Sequence, residues 1–185
     1  LLGDKMPLIW LIVVVLAIAA IGFVLGRSRA LASADGQSRN LHSLPSYYGW
    51  NVALKALVPA FGLLIVWLLA QPLYVSNTIS EGSTRGVGMA EVRRTSEGLD
   101  NAVALGLMEE EFARSARADL ADVTQRLKDA GQIVTAQVTQ PILRAAQSYR
   151  MMNATGYFYM SVAVTLIAAL GFVIALRATN AEFRA

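Results

Sequence analysis

The sequence predicts an all-α integral membrane protein: three transmembrane helices, with a helical, hairpin-like extracytoplasmic insert between the second and the third. Three observations predict it. Hydrophobic residues make up 55% of the chain and charged residues only 16%, against roughly 45–50% and about 25% in soluble domains. Charge is missing from three long stretches, each long enough to cross a ~30 Å hydrocarbon core at ~1.5 Å rise per residue. Between the second and third stretches, apolar residues recur three or four apart, as on one face of a helix.

The first transmembrane helix is placed in residues 1–26, because Met6 to Gly26 carries no charge and Trp10 suits an interfacial belt. A signal peptide is the competing reading. It is the poorer one, since the apolar run is long and no Ala-x-Ala-like site precedes a soluble domain. The second helix is placed in residues 50–75. Tyr47, Tyr48 and Trp50 cluster at its start, and Lys55, about one turn inside, can snorkel to the headgroups. Pro59 and Gly62 predict a packing kink, and Gln71-Pro72 marks the far end. The third helix is placed in residues 151–176, bracketed by Arg150 and Arg177, with Tyr157 and Tyr159 as anchors. Its glycines and alanines either permit close helix contact or reflect ordinary span composition.

None of the apolar runs 6–26, 50–75 and 157–176 carries an acidic residue or an arginine. Intramembrane charges mark ion paths and proton relays, so this segment is not expected to move ions itself. The loop at 27–49 and the tail at 177–185 are expected in the cytoplasm. Arg27, Arg29 and Arg39 stand against Asp35 in the first, and Arg177 and Arg184 against Glu182 in the second. The insert, residues 76–150, has nine basic and ten acidic residues and is placed with the N-terminus on the opposite side, the periplasm of a Gram-negative cell.

Within the insert, Leu99, Val103, Leu107, Phe112, Leu120, Val123, Leu127, Ala130, Val134, Val138, Leu143 and Tyr149 form the apolar pattern. Residues 120 to 134 alternate three and four apart, like a coiled-coil seam. Gly131 and Pro141 are expected breaks. The seam is expected to close on itself in a helical hairpin, with a docking or sensing surface as the sharper alternative. Glu109-Glu110-Glu111 is read as a solvated helix face rather than a cation site.

No catalytic, cofactor-binding or metal-binding residue is expected, so the chain is read as a non-enzyme with no cofactor. It has no cysteine and a single histidine, His42. Thiolate chemistry is therefore excluded, and no His-rich metal site can form. His42 falls in the short cytoplasmic loop, and no other residue offers a serine a conventional base. There is no phosphate-binding Gly-x-x-x-x-Gly-Lys-Ser/Thr loop, and Gly82 to Gly88 is read as a flexible connection. The net charge of +3 is the bias of membrane-flanking loops. Without a basic stripe interleaved with aromatics, nucleic acid is not an expected partner, whereas membrane lipid is.

Two stretches carry a family resemblance. Leu41-His-Ser-Leu-Pro-Ser-Tyr-Tyr-Gly-Trp50, followed by an apolar span, resembles the opening of an extended bacterial phosphate ABC transporter permease of the PstC type. Ala175-Leu-Arg-Ala-Thr-Asn-Ala-Glu-Phe-Arg-Ala185 resembles the segment that leads into that family's transport domain. The close match covers about a tenth of the chain, but the order span, loop, span, insert, span is similar along most of it. The resemblance implies an inner-membrane component of phosphate import, working with a second permease, two ATPase subunits and a periplasmic phosphate-binding protein. The permease core of that family does not fit in these residues. The expected role is therefore that of a non-catalytic N-terminal membrane segment, which packs and docks while the transport core is missing.

The alternative is a small accessory subunit of another bacterial membrane complex, respiratory or photosynthetic, with a structural or assembly role. A sensor with an extracytoplasmic helical domain is a third reading, weakened by the short tail after Arg177. The chain opens on Leu1, so Met6 as the start and a fragment of a longer protein are both open readings.

Overall fold

In a computed structural model, residues 8–33, 44–82, 88–115, 119–131 and 138–182 are described. They form six helices: α1 Leu8–Ser33, α2 Pro45–Gly82, α3 Met89–Ala104, α4 Glu110–Arg114, α5 Leu120–Asp129 and α6 Gln140–Glu182. No strand occurs among the described residues. Three helices, α1, α2 and α6, are long and apolar enough to cross a membrane. His42, Val134 and most of the Gly82–Gly88 connection lie outside the described residues.

Helix length divides the chain. At ~1.5 Å per residue, the 26 residues of α1 span about 39 Å, just over one hydrocarbon core. The 38 residues of α2 and the 43 of α6 span about 57 Å and about 64 Å. Each is long enough to cross a bilayer and still project well beyond it. Pro59 and Pro72 both lie within α2, which stays helical past them to Gly82.

The first of two compact units comprises residues 1–69 and 156–185. Here α1 turns Leu11, Val15, Ala19, Gly22, Gly26 and Ala30 inward, spaced three or four apart along one face. Leu11 and Val15 join Ala60 and Leu64 of α2 and Met160, Val164 and Ala168 of α6 in one core. Small residues set the helix separation, as van der Waals packing between spanning helices requires. A Cβ built on Gly49 would lie 2.7 Å from the Phe23 carbonyl oxygen, and one on Gly26 would lie 2.9 Å from that of Tyr48. On Gly171 it would fall on the carbonyl oxygen of Lys55. Beside this crossing, the Phe23 and Trp50 rings meet edge to face at 5.4 Å.

The outer faces of these helices are apolar as well. Ile21, Val24, Val58, Val66, Leu69, Leu170 and Ile174 are each more than half exposed. Only 22–28% of each candidate span's most apolar window is buried within the chain. Water would not tolerate such continuous apolar surface, whereas lipid matches it.

The second unit comprises residues 70–155. It is built on the C-terminal part of α2 and the N-terminal part of α6, together with α3, α4 and α5. Its core joins Val75 and Ile79 of α2, Val92, Leu99 and Ala102 of α3, Met108, Ala113 of α4, Val123 and Leu127 of α5, Val138, and Leu143, Ala145 and Ala146 of α6. The apolar pattern of the insert is thus closed largely by the extended long helices. Of the expected seam, Leu99, Val123, Leu127, Val138 and Leu143 are buried, while Leu107 is 38% exposed.

Local signals end the short helices. Asp119 caps α5, its side chain accepting from the Ala121 amide at 3.1 Å. Arg126 and Lys128 occupy the last turn of α5, where cations complement the helix dipole. Gly131 follows with φ of 80°, which glycine adopts without strain. Pro141 stands at the start of α6, where a missing amide hydrogen breaks no helical bond.

The glycine contacts generate a test. A Gly171→Val substitution should push α6 away from α2 and destabilise the chain by about 1–3 kcal/mol. Gly62 faces open space, so Gly62→Ala should be neutral or stabilise by up to about 1 kcal/mol. Thermal unfolding of the detergent-solubilised chain, followed by circular dichroism, separates the two; equal midpoints would contradict the packing described.

Candidate functional site

Polar side chains of the second unit concentrate where its short helices meet the two long ones. Arg150, the last charge before the apolar run of α6, is 11% exposed in its side chain. Its Nε donates to Asp100 Oδ1 of α3 at 2.9 Å, and its Nη2 donates to Glu110 Oε2 of α4 at 2.9 Å. Arg114 Nε donates to the other oxygen of Glu110 at 2.6 Å, one helical turn on. A planar guanidinium with forked donors suits two acceptors held on separate helices.

Gln147, one turn before Arg150, bonds the carbonyls of Ala113 and Ser115 at 3.0 and 3.1 Å, closing the end of α4. Arg126 Nη1 donates to the Leu107 carbonyl at 2.6 Å, and its guanidinium carbon stands 5.1 Å from the centre of the Phe112 ring. Where the two long helices enter this unit, Gln71 Nε2 donates to the backbone and side-chain oxygens of Asn153 at 3.3 and 3.4 Å.

Burial raises the pKa of Glu110, but hydrogen bonds and charges from Arg114 and Arg150 outweigh it, leaving the carboxyl below its ordinary 4.5. The acidic run Glu109-Glu110-Glu111 is thus split in use. Glu110 ties α4 to Arg150 of α6, while Glu109 and Glu111 stay exposed. Among the described residues, no group of three or more His, Cys, Asp or Glu could hold a metal.

The ionic groups are mutually satisfied, with no buried side-chain nitrogen or oxygen lacking a partner among the described residues. Arg150 is the most enclosed cation of this cluster, and two carboxylates already neutralise it. The arrangement fixes α3 and α4 onto α6 and leaves this guanidinium committed to protein carboxylates. From sequence, Arg150 marks only the edge of a span. Its partners stand 50 and 40 residues away, with no local spacing to reveal them.

A family model described as "Phosphate ATP-binding cassette transporter" matches residues 12–173. The chain belongs to this family. The match opens inside α1, takes in the whole second unit and closes inside α6. No curated protein and no solved structure matches the chain. Membership in the phosphate ABC transporter family, together with three apolar helices, makes this a membrane protein of a transport system that works through associated subunits.

Two outcomes test the ionic cluster. Arg150→Met leaves Asp100 and Glu110 without their shared partner. It should lower the stability of the second unit by about 1–3 kcal/mol, read as faster proteolysis between residues 88 and 131; unchanged proteolysis would count against the cluster. The second outcome concerns acid. The folded pKa of Glu110 lies below the unfolded one, so its stabilisation is complete above about pH 4.5 and is lost as pH falls through the folded value. Glu110→Gln should flatten that part of the pH dependence of denaturant midpoints; the same acid loss in both proteins would refute the assignment.

Proposed function

We propose that this chain is the non-catalytic, N-terminal membrane segment of a phosphate importer permease, which packs against and docks the subunits of that importer. The family match over residues 12–173 carries the reading. The composition of the spanning stretches supports it. Between Met6 and Gly26, and between Met151 and Leu176, there is no charged residue, and within α2 only Lys55 stands between Pro45 and Ser80. A phosphate anion crossing a low-dielectric layer needs cations or dense hydrogen-bond donors along its way. The apolar outer faces of α1, α2 and α6 instead suit contact with lipid and neighbouring spans.

In this reading the chain sits in the bacterial inner membrane, with the positive flanks in the cytoplasm and residues 76–150 in the periplasm. The Arg29 guanidinium bonds the Leu176 carbonyl at 3.5 Å, beside Arg177. The ends of α1 and α6 that carry arginine therefore share one side, and the positive-inside rule assigns that side to the cytoplasm. The second unit is then available to the periplasmic phosphate-binding protein, and the partners in the membrane are the transport-core spans of the two permeases.

Two experiments test the proposal. Deleting the coding region for residues 8–182 should abolish phosphate uptake at low external phosphate or prevent assembly of the importer; unchanged uptake and assembly would sink it. Orientation is read with Lys128→Cys in the otherwise cysteine-free chain. Labelling by an impermeant maleimide in spheroplasts supports a periplasmic second unit, and labelling only after lysis reverses the topology.

A further inference from the structure

Between α3 and α4 the chain makes a tight turn whose apolar side chains point outward. Leu105 is 64% exposed and Leu107 is 38% exposed, while Met108, next in the chain, is buried in the core. The turn is rigidly closed. The amide of Gly106 bonds the Val103 carbonyl at 3.0 Å, the amide of Leu107 bonds that of Ala102 at 2.9 Å, and Gly106 has φ of 71°. This double closure of a helix end requires a left-handed residue after the cap, which glycine supplies.

The position of the turn follows from distances within the second unit. Gln71 and Asn153 are hydrogen-bonded and so lie at one level. From Gln71 to Gly82, α2 climbs eleven residues, about 16 Å. The 16 residues of α3 are long enough to return about 24 Å. That α3 does return is shown near its end, where Asp100 bonds Arg150, three residues before Asn153 in α6. The five residues from Asn101 carry the chain on to Leu105, beyond the level of Arg150. At that level the long helices expose Leu73 at 65%, Tyr74 at 69% and Met151 at 67%. Val103 and Met152 flank the same core there. Arg150 is also the last charge before the apolar run of α6, so this level is the edge of the bilayer.

We propose that the Leu105–Gly106–Leu107 turn seats in the interfacial layer of the membrane, a contact with lipid made by the water-exposed unit itself. Apolar side chains of interfacial segments sit roughly 5–10 Å into the headgroup and acyl boundary. Backbone groups entering that layer must be satisfied, and here they are. The amides of residues 105 to 108 are all hydrogen-bonded, and the Leu107 carbonyl accepts from Arg126. The flanking carboxylates of Asp100 and Glu110 are paired with the two guanidinium groups of Arg150 and Arg114, so the contact needs no anionic lipid. It requires only that α2 and α6 span the bilayer, and it holds whichever subunits the chain docks.

The native chain has no cysteine, so single cysteines carrying a nitroxide read the local environment directly. The full chain bearing Leu105→Cys is reconstituted in phosphatidylcholine vesicles, and collisions with oxygen, which enriches in lipid, are compared with those of a water-soluble nickel chelate. Val66→Cys, on the exposed face of α2, is the lipid reference, and Lys128→Cys is the water reference. The label at 105 should follow Val66, with oxygen collisions dominant, and Leu107→Cys gives a second reading of the same turn. A label at 105 that follows Lys128 overturns the proposal. So does one shielded from both reagents, which would mark a protein cover such as a second copy. Nickel-dominated collisions at Val66 would instead remove α2 from the bilayer and take the proposal with it.

Discussion

The structure depends on a mismatch between helix length and membrane thickness. A backbone inside hydrocarbon must satisfy its own hydrogen bonds, so the spanning elements are unbroken helices. For α1 the chain uses about one membrane's worth of helix. For α2 and α6 it uses nearly twice that, and the surplus is not left bare in water. It presents Val75, Ile79, Leu143, Ala145 and Ala146 as a scaffold on which three short helices assemble. Each buried leucine or valine there contributes about 1.5–3 kcal/mol relative to exposure, enough to hold helices of 5 and 10 residues that would not persist alone.

Two kinds of packing hold the two units. Between spanning segments there is no water to expel, so the helices approach until backbone meets backbone at Gly26, Gly49 and Gly171. In the second unit the hydrophobic effect supplies the core, and Arg150 supplies the register by reaching α3 and α4 at once. A planar cation that meets two carboxylates from separate helices tolerates little sliding of either. It constrains where the short helices sit more than it adds to stability, since its acids remain about one third exposed.

Much of this was legible in residue order. Charge-free runs longer than a bilayer's thickness expose spans without reference to tertiary structure, and Trp10, Tyr157 and Arg150 mark their edges. The seam residues Leu99, Val123, Leu127 and Leu143 were legible because helical burial repeats at three and four. The continuation of α2 past Pro72 was not. Gln71-Pro72 reads as the far end of the span, yet the stretch beyond it carries Val75 and Ile79 one turn apart on a buried face. Tertiary burial of those two overrides weak local propensity. The break expected at Gly131 was legible too, and there the glycine takes the left-handed region. The Arg150 cluster was illegible because its members meet only after the chain has folded back on itself.

The core of the second unit also sets an order of events during biogenesis. Val75 and Ile79 leave the ribosome 64 to 71 residues ahead of Leu143 and Ala146, with which they share one core. In the proposed orientation, with residues 76–150 in the periplasm, residues 88–131 cross the membrane before the wall that encloses them exists. Through that interval α3, α4 and α5 carry an unclosed apolar face, the condition under which a nascent chain aggregates or recruits a chaperone. Insertion of the third span and completion of the water-exposed core become a single late step. A ribosome stalled between residues 131 and 143 leaves a half-core that cannot close.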